Sequence, residues 1–155
     1  MQGKTVKSSR TEQVQILSQS TLNGYKRLFG GRLMEWIDVV AAVTARRHSG
    51  KNVTTAAIDS LEFKRAAYAN DTLVLTGEIS YVGNTSMEVT VKTYIETLGG
   101  ERTLINRAFV IMVALDENED PTPVPPIMPE TEEERQMLNG GRRRAEARKK
   151  RAQEV

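Results

Sequence analysis

Asp38 is the residue whose chemistry fits its neighbours least. It interrupts a run (Leu33, Met34, Trp36, Ile37, Val39, Val40, Ala41, Ala42, Val43, Ala45) that leaves almost no polar face before Arg46. Burying a lone carboxylate costs several kcal/mol even after relaxation, so Asp38 has to be paired, protonated or set in a wet cleft. Two readings stand at this point: a structural carboxylate bridged to Arg32, Arg46 or a loop amide, or a general base or nucleophile. Upstream lies Gly30-Gly31. Two glycines there permit close backbone approach, and N–H groups left open at a helix start can polarise a carbonyl or hold an anion. A plain loop-to-helix junction has the same composition. Along one helix Gly31 and Asp38 stand roughly 10 Å apart, too far to act on one carbonyl within a single chain. The spacing suits a twofold dimer in which the helix start of one chain faces the helix middle of the other.

The elements that must position these groups follow from periodicity and breakers. The Gly- and Pro-free stretch Arg32 to His48, closed by Ser49-Gly50, predicts a helix of about 16 residues, roughly 24 Å long. Apolar around most of its circumference, it is expected to be buried on all sides. Val14, Ile16 and Leu17 suggest a short strand, and a polar loop from Ser18 to Lys26 turns at Asn23-Gly24. Strands are expected over Val53 to Phe63, Thr72 to Tyr81, Ser86 to Glu96 and Arg102 to Leu115. In the third, Met87, Val89, Val91, Thr93 and Ile95 alternate with Glu88, Thr90, Lys92, Tyr94 and Glu96. One buried helix and long strands joined by tight turns give an α+β class, an antiparallel sheet wrapped around a central helix. Pro121, Pro123, Pro125 and Pro126 then make an extended exit that cannot join a sheet interior.

The chain divides into a disordered leader at 1–10, a body at 11–129 and a charged extension at 130–155. In the extension a helix from Glu130 to Asn139, capped by Thr131, is expected to break at Gly140-Gly141; a charged second helix or disordered tail follows. Residues 1–129 taken together are formally neutral, with 14 basic and 14 acidic residues, so the net charge of +2 belongs to the extension. That argues against a nucleic-acid-binding body. With no cysteine and only His48, a disulfide framework, a thiolate zinc site, a Cys nucleophile and a multi-histidine metal site are excluded, and no metal is expected. His48 reads as a cation at the helix C-terminus. No apolar run approaches the ~18–20 residues of a membrane span, and Met1 to Lys7 has no apolar signal region, so a cytoplasmic protein is expected.

Asn23, five intervening residues, Phe29-Gly30-Gly31, then Leu33-Met34 and Asp38 resemble the signature of hotdog-fold acyl-CoA thioesterases, the bacterial acyl-CoA hydrolase group. Val53-Thr54-Thr55-Ala56, Asp59-Ser60 with Phe63, Val82 to Val89, Phe109 with Val113 to Asp116, and Pro121 to Pro125 agree in order and spacing, so the resemblance spans about 11–138. It implies a hotdog fold, with a five- or six-stranded antiparallel sheet around the long central helix, in a homodimer with interfacial sites that often assembles as a trimer of dimers, a hexamer. It further implies acyl-CoA as substrate, with CoA entering as part of substrate and product and no other cofactor, in lipid metabolism. By resemblance Asp38 is the catalytic carboxylate and Asn23 its companion from the other subunit. The Gly30 and Gly31 amides would bind the developing oxyanion. The turn Gly83, Asn84, Thr85 and Ser86 would contact CoA, with Lys64, Arg65 and Arg107 as candidate phosphate contacts. Ala66 to Asn70 depart from the Pro and Gly usual in that segment of the family.

Two other functions fit parts of the sequence. A hotdog dehydratase or hydratase would need a histidine paired with a carboxylate, and His48 is badly placed for that. A non-catalytic binding module would act through Arg142, Arg143, Arg144, Arg148, Lys149, Lys150 and Arg151, which could instead be solvated or meet the acidic Glu130 to Glu134 stretch of a neighbouring subunit.

Overall fold

The computed structural model describes residues 1–154. In chain order the elements are β1 (Lys4–Thr5), β2 (Thr11–Ile16), a 3-10 turn at Gln19–Thr21, α1 (Gly30–Ser49), β3 (Asn52–Phe63), β4 (Thr72–Val82), β5 (Ser86–Glu96), β6 (Arg102–Leu115), β7 (Ile127–Met128) and α2 (Glu132–Gln153). Five strands form one antiparallel sheet in the order β2-β4-β5-β6-β3. The period-two pattern of β5 sets its faces: Met87, Val89 and Val91 enter the core against α1, while Glu88 and Thr90 lie on the opposite face under α2. The sheet therefore separates two helices.

α1 buries Leu33, Ile37, Val40, Ala41, Thr44, Ala45 and His48, a helical stripe pressed onto the sheet. Gly77 on β4 permits this approach, since a Cβ there would lie 2.6 Å from Thr44 Oγ1 and 2.8 Å from Val40 Cγ1. The expectation of burial on every side does not hold for the single chain. Met34 and Val39 are 40% and 50% exposed, because the sheet curls around only one side of the helix. Asp38 lies on this open side, half-buried between Ile37 and Val39. The helix starts two residues earlier than the Gly-Gly pair suggested, and it ends at Gly50, whose φ of 68° is the left-handed cap glycine supplies readily.

Residues 1–10 are ordered rather than a loose leader. Lys4 and Thr5 pair in parallel with Ile127 and Met128, and Val6 and Ser9 are buried. The proline segment is the other half of this arrangement: the Lys4 N–H donates to the Pro126 carbonyl at 3.0 Å, and the Val124 N–H to the Asn84 carbonyl at 3.0 Å.

The C-terminal extension is one helix. Thr131 caps it as expected, its Oγ1 accepting from the Glu134 N–H at 3.1 Å. Gly140-Gly141 does not break it. Gly141 sits where a Cβ would run into Tyr81 and the Ser80 carbonyl, so the glycine serves close packing on the sheet. Beyond it, Arg144 donates to both oxygens of fully buried Glu88 (2.7 and 2.9 Å), Arg148 reaches Glu88 at 3.4 Å, and Arg151 reaches Asp59 at 3.2 Å. Part of the basic run is thus consumed within the chain. Among the described residues no helix is long and apolar enough to cross a membrane.

Candidate active site

Asp38 has a partner, and it is not an arginine. The Thr55 hydroxyl donates to Asp38 Oδ1 at 2.6 Å. Arg32 instead pairs with Glu35 at 3.6 Å, and no ion pair among the described residues includes Asp38. β3 carries a register shift between Thr55 and Ala57, and such bulges re-aim side chains at a strand position. The outcome is a carboxylate on the open side of α1, oriented by one hydroxyl and with no cation neutralising it.

Asn23 is fixed by the turn it starts. Its Oδ1 accepts from the Tyr25 N–H (2.9 Å) and the Arg27 N–H (3.3 Å), around Lys26 at φ 61°. With Oδ1 committed to the backbone, Asn23 can act on a ligand only through its Nδ2 donors. Gly30 and Gly31 form the first turn of α1, and among the described residues their N–H groups have no backbone acceptor. Asn23, Gly30, Lys64 and Arg65 come together with Arg27 and Phe63 around a cavity of about 430 Å³. Its lining contains three cations and no carboxylate, so it favours an anionic ligand.

Other candidates do not join this cluster within one chain. On β6 the Asp38–Thr55 pair stands at the level of Met112, whereas the cavity stands at the level of Ile105 and Asn106. Six residues of strand separate these levels, about 20 Å. The Gly83 to Ser86 turn lies at the Thr55 end, since Ser86 pairs with Val113 and Val113 with Thr54. Gly83 and Asn84 border a separate cleft of about 300 Å³ with Val124, Pro126 and Arg142. Gly30 and Gly31 stand roughly 10–12 Å from Asp38 along α1, and the rest of the cavity lies further from it in the single chain.

His48 is not a charged helix cap. It is buried, and its Nε2 lies 2.7 Å from the Pro125 carbonyl. Burial pushes its pKa below the usual value, reinforced by nearby Lys4 and opposed by the Pro125 hydrogen bond. It ties α1 to the proline segment and cannot face a substrate. Thr55 is the residue that sequence reasoning missed as a functional candidate. Its only signal was membership of the Val53 to Ala56 block, because a threonine in a strand attracts no notice.

Among the described residues no group of three or more His, Asp or Glu side chains is placed to hold a metal.

The five-stranded sheet around α1 places the protein in the hotdog class. The Thioesterase superfamily profile matches residues 25–100. The acyl-CoA thioester hydrolase YkhA of Bacillus subtilis, itself described as uncharacterized, is 41% identical over 151 residues, covering 97% of this chain and 84% of the relative. The cytosolic acyl coenzyme A thioester hydrolase of Rattus norvegicus is 30% identical over 145 residues, 90% of this chain but 38% of that protein. Among solved structures, an apo-hexameric acyl-CoA thioesterase superposes with a TM-score of 0.93 at 42% identity, covering 98% of each chain. The Staphylococcus aureus acyl-CoA hydrolase bound to butyryl coenzyme A, coenzyme A and coenzyme A disulfide matches at 0.93 and 33% identity, covering 97% and 93%. Alanine variants of that hydrolase at an aspartate, a threonine and an asparagine share the fold, with TM-scores of 0.94, 0.93 and 0.94. The chain belongs to the hotdog-fold acyl-CoA thioesterase family.

Proposed function

We propose that this protein hydrolyses acyl-CoA to a carboxylic acid and CoA at sites shared between two subunits, with the Asp38–Thr55 pair of one subunit facing Asn23, Gly30 and Gly31 of the other. The observation that carries this reading is the hydroxyl-oriented, cation-free carboxylate on the open side of α1. Asp38 takes a proton from water as the water oxygen bonds to the thioester carbonyl carbon, or attacks that carbon itself to give an anhydride that water then opens. The carbonyl oxygen gains charge toward the Gly30 and Gly31 N–H groups and the Asn23 amide. Collapse breaks the C–S bond and releases the CoA thiolate, which leaves readily without a strong acid. Water and this chain's own side chains suffice, and no cofactor beyond the CoA moiety of the substrate is invoked.

The spacing of the three residues supports the assignment. Asn23 precedes Asp38 by fifteen positions and Thr55 follows it by seventeen, the same intervals that separate the substituted asparagine, aspartate and threonine of the Staphylococcus aureus hydrolase. Edge strand β3 supports the pairing of subunits. It is twelve residues long, with Thr54 to Ala57 exposed, and unpaired on its outer side. Such an edge is a ready template for a second strand. Two β3 strands joined antiparallel bring the Thr55 end of one against the Phe63 end of the other. That closes the 20 Å gap and covers Met34 and Val39. The Gly83 to Ser86 turn, at the same end as Thr55, then also approaches the partner's cavity, in keeping with a CoA contact. A hexamer, a trimer of such dimers, is part of this proposal, supported by the hexameric neighbour. So is a cytoplasmic location, supported by the cytosolic rat relative.

Asp38→Ala tests the reading: it is expected to keep its oligomeric size and lose about 10²–10⁴ of kcat, measured as CoA thiol released. Mixing refolded Asp38→Ala and Asn23→Ala subunits should restore activity, because one intact site forms per mixed dimer. Wild-type turnover in Asp38→Ala ends the assignment of the carboxylate, and failure of the mixture to recover ends the shared site. Two alternatives are disfavoured by specific contacts: the dehydratase by the burial of His48, the tail-driven binding module by the engagement of Arg144, Arg148 and Arg151 with the sheet.

A further inference from the structure

We propose that Asp59, Arg148, Arg151 and Asn106 are positioning residues for the active site: from opposite faces of the sheet they clamp the bulge in β3 that turns Phe63 onto the helix start. The inference rests on the hydrolase reading above. It begins with a count along two strands. Asp59 pairs with Phe109 of β6 and Phe63 pairs with Asn106, so four steps along β3 run against three along β6. Asp59 lies on the outer face, within reach of α2. Four steps on, an uninterrupted strand would put Phe63 on that face too. The extra residue reverses the alternation and puts Phe63 on the α1 side instead. There its ring borders the cavity, and a Cβ on Gly30 would lie 3.6 Å from Phe63 Cζ. Gly30 supplies one of the N–H groups assigned to the carbonyl oxygen. A ring against that glycine limits water around the donor, the condition under which such groups stabilise developing charge best.

The bulge does not sustain itself. Ser60, inside it, holds a φ of 58°, a left-handed conformation that non-glycine residues keep only when the surroundings impose it. Phe63 is 49% exposed, so its own burial does little to hold it on the α1 side. Two contacts supply the constraint. On the outer face, immediately before Ser60, the Asp59 carboxylate accepts from Arg151 at 3.2 Å and lies 3.9 Å from Arg148. Arg148 also reaches fully buried Glu88, at 3.4 Å, so Asp59 is moored to the centre of the sheet and not to a loose helix end. On the α1 side Asn106 Nδ2 donates to the Glu62 carbonyl, just past the bulge. Asn106 is fully buried, and its Oδ1 has no hydrogen-bond partner among the described residues. An unmet oxygen in the core is destabilising, and the bond to Glu62 is the contact that offsets it.

Ser60→Gly provides the test, because glycine takes this φ without a clamp. Asp59→Asn removes the charge that Arg148 and Arg151 hold, and is expected to lower kcat/KM for acyl-CoA about tenfold at unchanged oligomeric size. In Asp59→Asn/Ser60→Gly the loss is expected to shrink to about threefold or less, while Ser60→Gly alone stays within about twofold of wild type. A kcat/KM for Asp59→Asn within twofold of wild type overturns the clamp. So does a loss that Ser60→Gly leaves in place, since an ion pair that only adds stability is indifferent to the backbone at residue 60. Arg151→Gln leaves the partners of Glu88 intact and decides the case in which Asp59→Asn does not fold. It is expected to lose about threefold, relieved by the same glycine, and an undiminished kcat/KM overturns the clamp equally. Amide hydrogen exchange across residues 60–63 reads the bulge apart from turnover: it should quicken in Asp59→Asn and recover in Asp59→Asn/Ser60→Gly. Absence of any CoA release by wild type strikes the hydrolase reading instead. The exchange pattern then decides the clamp by itself, and unchanged exchange in Asp59→Asn refutes it.

Discussion

Replacing Thr55 by valine exchanges one hydroxyl for a methyl group, losing the contact to Asp38 and a weak 3.5 Å contact to Met112 Sδ. Valine matches threonine in shape and suits a strand, and Thr55 is exposed in the single chain, so the fold is expected to persist. The lost bond is the 2.6 Å contact to Asp38 Oδ1, within the range of hydrogen bonds to a charged oxygen. Bonds of that kind contribute about 1.5–3 kcal/mol. If the hydroxyl holds the carboxylate in its attacking orientation, the whole amount appears in the barrier, and kcat falls roughly 10- to 150-fold at about 1.4 kcal/mol per tenfold. KM should barely move, because Thr55 is assigned no contact with the CoA moiety. Thr55→Ser keeps the donor and should stay within about threefold of wild type. The assay is CoA thiol release under saturating acyl-CoA, with oligomeric size checked by gel filtration. A valine variant with wild-type kcat refutes the orienting role. A serine variant as impaired as valine shows that the hydroxyl alone does not set the carboxylate and that the methyl group, which valine keeps, is needed as well.

The remaining predictions concern stability. His48 has its pKa lowered chiefly by burial, so the unfolded chain binds a proton near pH 6.5 that the folded chain refuses. Stability is therefore full above that pH and falls as pH drops below it, and the fall in Tm from pH 7 to 5 should be shallower in His48→Gln. Arg144→Met leaves fully buried Glu88 with Ser80 and a 3.4 Å contact to Arg148, and should cost about 3–5 kcal/mol in denaturant titrations. Glu88→Gln should cost less, about 1–2 kcal/mol, because the freed arginine heads can turn to water. Gly141→Ala should lower Tm despite alanine's helix preference of ~1 kcal/mol. Gly140→Ala, whose Cβ would press at 3.1 Å on the Arg144 guanidinium that Glu88 holds, should lower Tm less than Gly141→Ala, because no backbone atom stands in its way.

Much of the fold was legible because its signals are local. Ser86–Glu96 and Arg102–Leu115 fall where alternation and turn residues placed them. α1 was found from its freedom from breakers, but an all-apolar helix reads the same whether a sheet or a second subunit covers it, so its open side was hidden. The N-terminal pairing of Lys4 and Thr5 with Ile127 and Met128 joins segments more than a hundred residues apart, a contact no window of sequence reports. Gly140-Gly141 read as a break because propensity is a local prior, while the Tyr81 contact that favours glycine there is tertiary. Asp38 stood out as a chemical misfit, whereas Thr55 was camouflaged in a strand. The Asp38–Thr55 bond depends on α1 and β3 lying side by side, which only the folded chain defines.

The mid-helix glycine pair also bears on how the chain matures. Two glycines weaken α2 by about 2 kcal/mol relative to alanine, so the free segment has little order of its own and acquires it on docking. Of the described residues it is also the last made, after the strands it rests on. Where the strands form first, Glu88 stays hydrated on the bare sheet until Arg144 and Arg148 dock over it. Dehydration and charge compensation coincide, so the nascent protein never has to carry an isolated anion in its interior.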